Sequence, residues 1–373
     1  MPDWNLRDRA CIVGVGNTGY GVFPETDAVG LGVSALRAAV ADAGIRFEDI
    51  DGVILNRLPY DRFAEVSGLN TPWLQSTEAH GRFSAIALMM AAEALASGQA
   101  TTIALVYGND GRSNAMKYGG GAGFWAPWGF TSPGASHAMM WRRHMARFGT
   151  TSADLGHIAV AFRDHASRNP QAVMQKPISL EDHQNSRFIC DPLHLLDYCL
   201  INDGGVAWIM TTPERAKDLR QKPVYVSGFA RQDDFSQNSY AADDFWHPAL
   251  QQVAAQVYDR AGVSREDIDG LMIYDNFSPT VIFALEGLGF CPQGEGGRFV
   301  ADGALQLGKG RWPTNTSGGH LSESYMQGWA LIAEGVRQLR GEVPPARQIP
   351  DAKALQFCLA TPVSASIILR TDA

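Results

Sequence analysis

Residues 42–54 read DAGIRFEDIDGVI and residues 260–272 read RAGVSREDIDGLM, so the pattern A-G-x-x-x-E-D-I-D-G occurs twice, followed each time by apolar residues. The flanks match as well. Helix-like stretches precede the copies at Val29–Val40 and Pro248–Tyr258, and strand candidates precede those at Ala10–Val15 and Val224–Phe229. Gly44 and Gly262 stand where a helix C-terminus calls for a left-handed residue. Val53–Leu55 and Leu271–Tyr274 then read as short buried strands. A shared decapeptide with shared flanks predicts one α/β unit used twice.

A second correspondence extends the repeat. Ala85–Ser97 is almost wholly apolar, which predicts a helix buried on all sides, and it leads through Gly98 into the strand Thr102–Tyr107. In the second half Trp329–Leu339 reads as a helix, and Ala354–Leu359 and Ala365–Leu369 as strands. Each half is thus strand–helix–strand–helix–strand, and helical crossovers predict mostly parallel sheets covered by helices. The halves fall at 1–220 and 221–373. An insertion at about 109–199 interrupts the first, rich in Gly, aromatic residues and His, with YGGGAGFWAPWGF at 118–130. Its helix Ser136–Phe148 carries Met139, Met140, Trp141 and Met145. It reads equally as an active-site cover or as a subunit interface. Val206–Thr211 is the strand that closes the first half.

Composition bounds the function. With 31 basic and 39 acidic residues the net charge is −8, and no Lys/Arg run appears. A broad nucleic-acid or anionic-membrane surface is therefore not expected. An anionic ligand would need a local basic pocket, for which Arg163, Arg187 and Arg231 are candidates by charge alone. The five cysteines form no CxxC and no zinc spacing, which fits a reducing compartment and no metal. Gly119–Gly121 lacks a following Lys-Ser/Thr, which discounts a phosphate loop. Without a signal-like N-terminus or an apolar run of roughly 20 residues, a cytoplasmic chain with no membrane span is expected.

Four strings stand in order along the chain: CIVGVGNTGYG at the first strand, DPLHLLDYCLINDGGVAWIM at 191–210, YDNFSP at 274–279 and NTSGGHLSESYMQGW at 315–329. With the repeat, they resemble the thiolase superfamily over essentially the whole chain, in particular the sterol-carrier-protein-type thiolases and their "lipid-transfer" relatives. The resemblance implies an α/β thiolase fold, two duplicated halves layered α/β/α/β/α, with a loop domain inserted in the first. In that family a Cys at the N-terminus of the buried helix is the nucleophile, where free N–H groups favour a thiolate. The matching segment, STEAHGRFSAIA at 76–87, has no Cys; Gly81 stands about in its place, with His80 and Ser84 as polar neighbours. The family's Asn or His opening N-E-A-F or H-D-C-F becomes Tyr274, and its catalytic His after Gly-Gly becomes Tyr325. Cys358 falls near the second reactive Cys, but LATPVSA replaces the Gly-rich run that follows it, so Cys358 reads as structural.

Without a thiolate the covalent route is closed unless Ser84 serves with His80 as base, and no third group orients that pair. Retro-aldol cleavage needs no nucleophile. It needs a base on the hydroxyl, stabilisation of the thioester enolate and an acid for the α-carbon, roles that two tyrosines can fill. A tyrosine base requires a pKa well below the ordinary value of about 10. The strings Y-D-x-F and S-E-x-Y resemble the steroid and bile-acid side-chain aldolases of the superfamily. That resemblance implies cleavage of a steroid-type 3-hydroxyacyl-CoA to a ring ketone and propionyl- or acetyl-CoA. It also implies a CoA thioester as substrate with no bound cofactor, and a small OB-fold/zinc-ribbon partner that carries the only zinc. Catalysis would fall to Tyr274, Tyr325 and His80, with Asp275, Asn276, Gly318, Gly319, His320, Glu323 and Ser84 binding or orienting. Each has a plainer reading: Asp275 and Asn276 as turn-formers, Glu323 as a helix cap, His320 as structural, His80 as a capping or core residue. The alternatives are a divergent thiolase or acyltransferase using Ser84 or Cys358, and a non-catalytic lipid–CoA carrier. Thr102–Val106 is the strand expected to join two copies into a homodimer, and the partner would make a heterotetramer.

Overall fold

The computed structural model describes residues 4–77, 83–116, 126–130, 132–234 and 242–373. Strand β1 (Cys11–Asn17) leads into helix α1 (Ala28–Ala43), then β2 (Gly52–Asn56), α2 (Tyr60–Ser67), β3 (Trp73–Thr77), α3 (Ser84–Ala96) and β4 (Thr102–Asn109). Helices α4 (Pro133–Phe148), α5 (Ser152–Ser167) and α6 (Leu180–Asn185) follow, with the hairpin β5 (Phe188–Cys190) and β6 (Leu193–His194). The chain returns through β7 (Gly204–Thr211) and α7 (Pro213–Ala216) to β8 (Val224–Asp233), α8 (His247–Ala261) and β9 (Gly270–Ile273). It ends with α9 (Ser278–Gly287), α10 (Gly296–Ala301), α11 (Gly319–Ser322), α12 (Trp329–Arg340), β10 (Ala354–Leu359) and β11 (Val363–Arg370).

The repeated decapeptide does the same work in both halves. Gly44 and Gly262, at φ 70° and 68°, end α1 and α8 in the left-handed conformation. The first Asp of each E-D-I-D-G caps a 3-10 turn: Asp49 accepts from Arg46 N at 2.9 Å and Asp267 from Ser264 N at 2.8 Å. The second Asp clasps the start of the next strand. Asp51 accepts from Thr102 N at 2.8 Å and Asp269 from Ala354 N at 3.0 Å, which sets β4 beside β2 and β10 beside β9.

One nine-stranded sheet runs β3-β2-β4-β7-β1-β8-β11-β10-β9. It is mixed, not mostly parallel: β2 is parallel to β3 and β4, and β9 to β10, while every other neighbouring pair is antiparallel. The reason is where each connection returns. Residues 360–362 join β10 to β11 as a tight hairpin, and the long excursion after β4 comes back at the end where it left, so β7 starts at Gly204 opposite Asn109 and runs back along β4. Within the sheet the two halves pair where Cys11 stands opposite Tyr225 and Ile12 opposite Val224.

Strand alternation sorts the side chains into three cores. Ile103, Leu105 and Tyr107 of β4 and Leu355, Phe357 and Leu359 of β10 share a central core with α3 and α12. Ala104 and Val106 face α1 on one outside, and Ala354 and Cys358 face α8 and α9 on the other. Helices, half-sheet, helices, half-sheet, helices: α3 and α12 form the middle layer, which explains why α3 is almost wholly apolar, with Glu93 as its exposed charge. In the insertion, Trp141, Leu155 and Phe162 pack on Val281 and Phe283 of α9. His144 Nε2 reaches Glu286 Oε2 at 3.1 Å across that contact.

Strand β4 does not lie at an edge. It is paired along its length with β2 and with β7, so it has no free side to offer a second copy. The half-exposed edge of the first half is β3, a strand too short and too polar at its end (WLQST) to stand out in the sequence. No described helix is long and apolar enough to cross a membrane.

Candidate active site

The site forms where β9 ends beside the Gly318–Gly319 turn. Asn315 binds the end of the strand at both backbone groups, accepting from Ile273 N at 2.8 Å and donating to Ile273 O at 2.8 Å. Tyr274 follows, its N–H donating to Cys358 O at 2.9 Å. Beside it, buried Asp275 accepts from His320 N at 2.9 Å and Leu321 N at 3.2 Å, the first free amides of α11. This approach needs Gly319, at φ 62°: a Cβ there would lie 2.3 Å from Asp275 Oδ2. Burial raises the Asp275 pKa above the usual carboxylate range, against the pull of those N–H donors.

Tyr325 arrives from the other side. Its N–H donates to Asn202 Oδ1 at 2.7 Å, and Asn202 O accepts from Asn109 Nδ2 at 2.6 Å, so the end of β4 and the approach to β7 hold the tyrosine. The two phenol oxygens, Tyr274 Oη and Tyr325 Oη, are 3.0 Å apart and hydrogen-bonded. The residues are 3% and 9% exposed, a site closed to bulk water.

His320 lies wholly buried behind both rings, edge-on to each, with centroids 4.8 Å from Tyr274 and 5.2 Å from Tyr325. Its Nε2 accepts from Gly328 N at 2.8 Å, and Nδ1 lies 3.2 Å from Asp275 Oδ1, out of line for a straight hydrogen bond. Burial pushes its pKa down to about 3, so the ring is neutral, with its proton on Nδ1.

Ser84 opens α3 with its hydroxyl buried and, among the described residues, without a hydrogen-bond partner. The place that a Cβ on Gly328 would take lies 2.5 Å from Ser84 Oγ and 3.4 Å from Tyr274 Cδ2, so the serine faces the tyrosine site.

Glu323 ends α11 as its C-cap residue, its N–H donating to Gly319 O at 2.9 Å, while its side chain serves elsewhere. Its carboxyl accepts from Ser317 Oγ at 2.7 Å and Asn169 Nδ2 at 3.0 Å, pinning the Gly-Gly turn to the end of α5. Burial, with Glu334 nearby, pushes its pKa up to about 7. Asn276 accepts Thr280 Oγ1 at 3.2 Å through its side chain and Cys199 N at 3.1 Å through its carbonyl, shaping the turn into α9. Gly318, at φ 109°, opens the turn. His80 lies outside the described residues.

Two arginines expected for an anion are already occupied. Arg163 is buried and donates to Ser322 Oγ at 2.9 Å and Lys176 O at 3.2 Å; Arg231 forms a fork with Asp233 of its own strand. Cys358 points into the outer core, on the opposite face of β10 from Phe357, and burial pushes its thiol up. Sequence reasoning missed Asn202 and Asn315. Both sit inside the strings DPLHLLDYCLINDGGVAWIM and NTSGGHLSESYMQGW, where no local pattern singles them out. No described group of three His, Cys, Asp or Glu is placed to hold a metal ion.

Residues 233–366 match the family "Thiolase C-terminal domain-like". The chain is 37% identical over 360 residues to a 17-hydroxy-3-oxo-4-pregnene-20-carboxyl-CoA lyase of Mycobacterium tuberculosis, covering 90% of this chain and 92% of that one. It is also 37% identical over 360 residues to a steroid side-chain-cleaving aldolase of Thermomonospora curvata, covering 90% and 91%. The solved Ltp2-ChsH2(DUF35) aldolase superposes with a TM-score of 0.90 at 35% identity, covering 98% of this chain and 99% of that one. The layered, duplicated fold and these relatives define a thiolase-like enzyme. The chain belongs to the thiolase superfamily, with the steroid side-chain aldolases.

Proposed function

We propose that this chain is a carbon–carbon lyase that splits a steroid-type 3-hydroxyacyl-CoA by a retro-aldol reaction. One phenolate oxygen of the Tyr274–Tyr325 pair takes the proton of the tertiary hydroxyl. The oxygen's electrons form the ring ketone as the bond to the α-carbon breaks, and that electron pair passes into the thioester enolate. The second tyrosine returns a proton to the α-carbon, releasing propionyl- or acetyl-CoA. Atoms balance with no free CoA, cofactor or oxidant. The observation that carries this reading is the 3.0 Å contact between two buried phenols, which lets a proton pass between base and acid.

The Ser84 hydroxyl at the start of α3, unpartnered among the described residues, is the donor we assign to the enolate oxygen. As a nucleophile it has no hydrogen-bonded base among the described residues, and Cys358 faces away; both points disfavour acyl transfer. We keep His80, four residues before Ser84, as a catalytic helper, and 1–220 and 221–373 as the two halves. A small OB-fold/zinc-ribbon partner, with any zinc held there, is supported by the likeness to the Ltp2-ChsH2(DUF35) aldolase.

The test is a product assay: the chain, co-expressed with such a partner, is given a 17-hydroxy steroid side-chain CoA ester. Ring ketone and short acyl-CoA should form without added CoA. A strict need for free CoA would restore thiolysis instead. Tyr325→Phe should lower turnover by about 10²–10⁴-fold while CoA-ester binding stays within a few-fold; normal turnover in that variant sinks the mechanism.

A further inference from the structure

We infer that His320 is a positioning residue, the brace that sets the distance between the two catalytic phenols; this rests on the tyrosine-pair reading above. Tyr274 and Tyr325 sit on separate segments, one after β9 and one after α11. His320 is bound to both. Its backbone N–H donates to Asp275, next to Tyr274, and its Nδ1 faces the same carboxylate at 3.2 Å. Its Nε2 takes the N–H of Gly328, three residues beyond Tyr325, at 2.8 Å. Its carbonyl accepts from Leu200 N at 3.0 Å, which ties the brace to the stretch that carries Asn202. The ring then fills the space behind both phenols, edge-on to each.

The chemistry of the residue matters. Only a side chain with an acceptor at the Nε2 position satisfies the Gly328 amide, which in a buried site is costly to leave unpaired. Gly328 itself, at φ 90°, leaves no room for a Cβ against Ser84 Oγ, so the loop cannot easily re-form its bond elsewhere. An imidazole held neutral takes no proton in the reaction. It works through the tyrosines, and His320 is in that sense not a base.

The test compares His320→Phe, His320→Gln and His320→Asn in the full chain with its partner, reading kcat, KM, CoA-ester affinity and the crystal structure of each variant. Phe fills the space without an acceptor and should lower kcat about 100-fold, the scale of an ångström-sized misplacement, with affinity within about threefold. The Gln amide oxygen reaches the Nε2 position and should restore kcat to within about tenfold of wild type. Asn is too short to reach Gly328 and should stay near Phe. Turnover in the Phe variant close to wild type, or equal losses for Gln and Asn, overturns the proposal. If the Phe variant does not fold, the Gln–Asn comparison decides alone. The crystal structures give a readout that needs no turnover: the Oη–Oη contact should open in the Asn variant, and an unchanged 3.0 Å pair there overturns the brace. A wild-type chain that cleaves no hydroxyacyl-CoA would sink the lyase reading separately.

Discussion

Tyr274 and Tyr325 stand where the family has an amide and an imidazole; a phenol donates and accepts through one and the same oxygen, so the two can share a proton across 3.0 Å. Around them the buried polar groups have separate tasks. Asn315 and Asn202 hold backbone, and Glu323 holds a turn. Glu323 also carries a pH signature. Its carboxyl has a pKa near 7 when folded against an ordinary 4.5, so the folded state favours the protonated form. That contribution is fully present below pH 4.5 and is lost as pH rises through 7. Glu323→Gln has no proton to lose. Its melting temperature relative to wild type should therefore climb between pH 4.5 and 7, and a flat difference would show that Glu323 is not protonated on folding.

At the scale of elements, helix α1 seats on β1, β4 and β7 through glycines, because its backbone runs against theirs. A Cβ on Gly108 of β4 would lie 1.9 Å from Ala28 O, and one on Gly205 of β7 would lie 2.2 Å from Leu31 O. Backbone cannot step aside as a side-chain end can. Gly108→Ala should cost about 2 kcal/mol or more in chemical unfolding, the range for overpacking a rigid contact. Gly335, inside α12, is the contrast: its added methyl would meet Met272 and Leu355 at 3.5 and 3.9 Å, ordinary contact distances. Gly335→Ala should stabilise by about 0.5–1 kcal/mol through helix propensity. Equal effects for the two variants would contradict this account of how the helices seat.

For the molecule as a whole, the continuous sheet leaves one strand edge at each end, and β3 is the open edge of the first half. A second copy pairing there would extend the sheet across a two-fold axis, so light scattering should give a dimer. Ser76, the exposed residue of β3, would then lie near the symmetry axis. Ser76→Lys should weaken association, since paired edge charges repel. A monomer at all concentrations, or a dimer indifferent to Ser76→Lys, would move the interface elsewhere.

Much of this was legible in the chain. The duplicated decapeptide announced two like halves because the same glycine cap, turn and strand clasp recur with the same residues. The apolar run of α3 announced a buried helix, since a helix with almost no polar face must be covered on nearly every side. Tyr274 and Tyr325 stood out as replacements within recognisable strings. What the tertiary structure decided was pairing. Strand direction depends on where long connections re-enter, which is why a mostly parallel sheet was expected and a mixed one is found. Whether β4 or β3 lies at the edge is a property of neighbours, not of local pattern. The tasks of Asn202, Asn315, Glu323 and His320 came from the fold for the same reason: a buried polar side chain is defined by the partner that satisfies it, and that partner is distant in sequence.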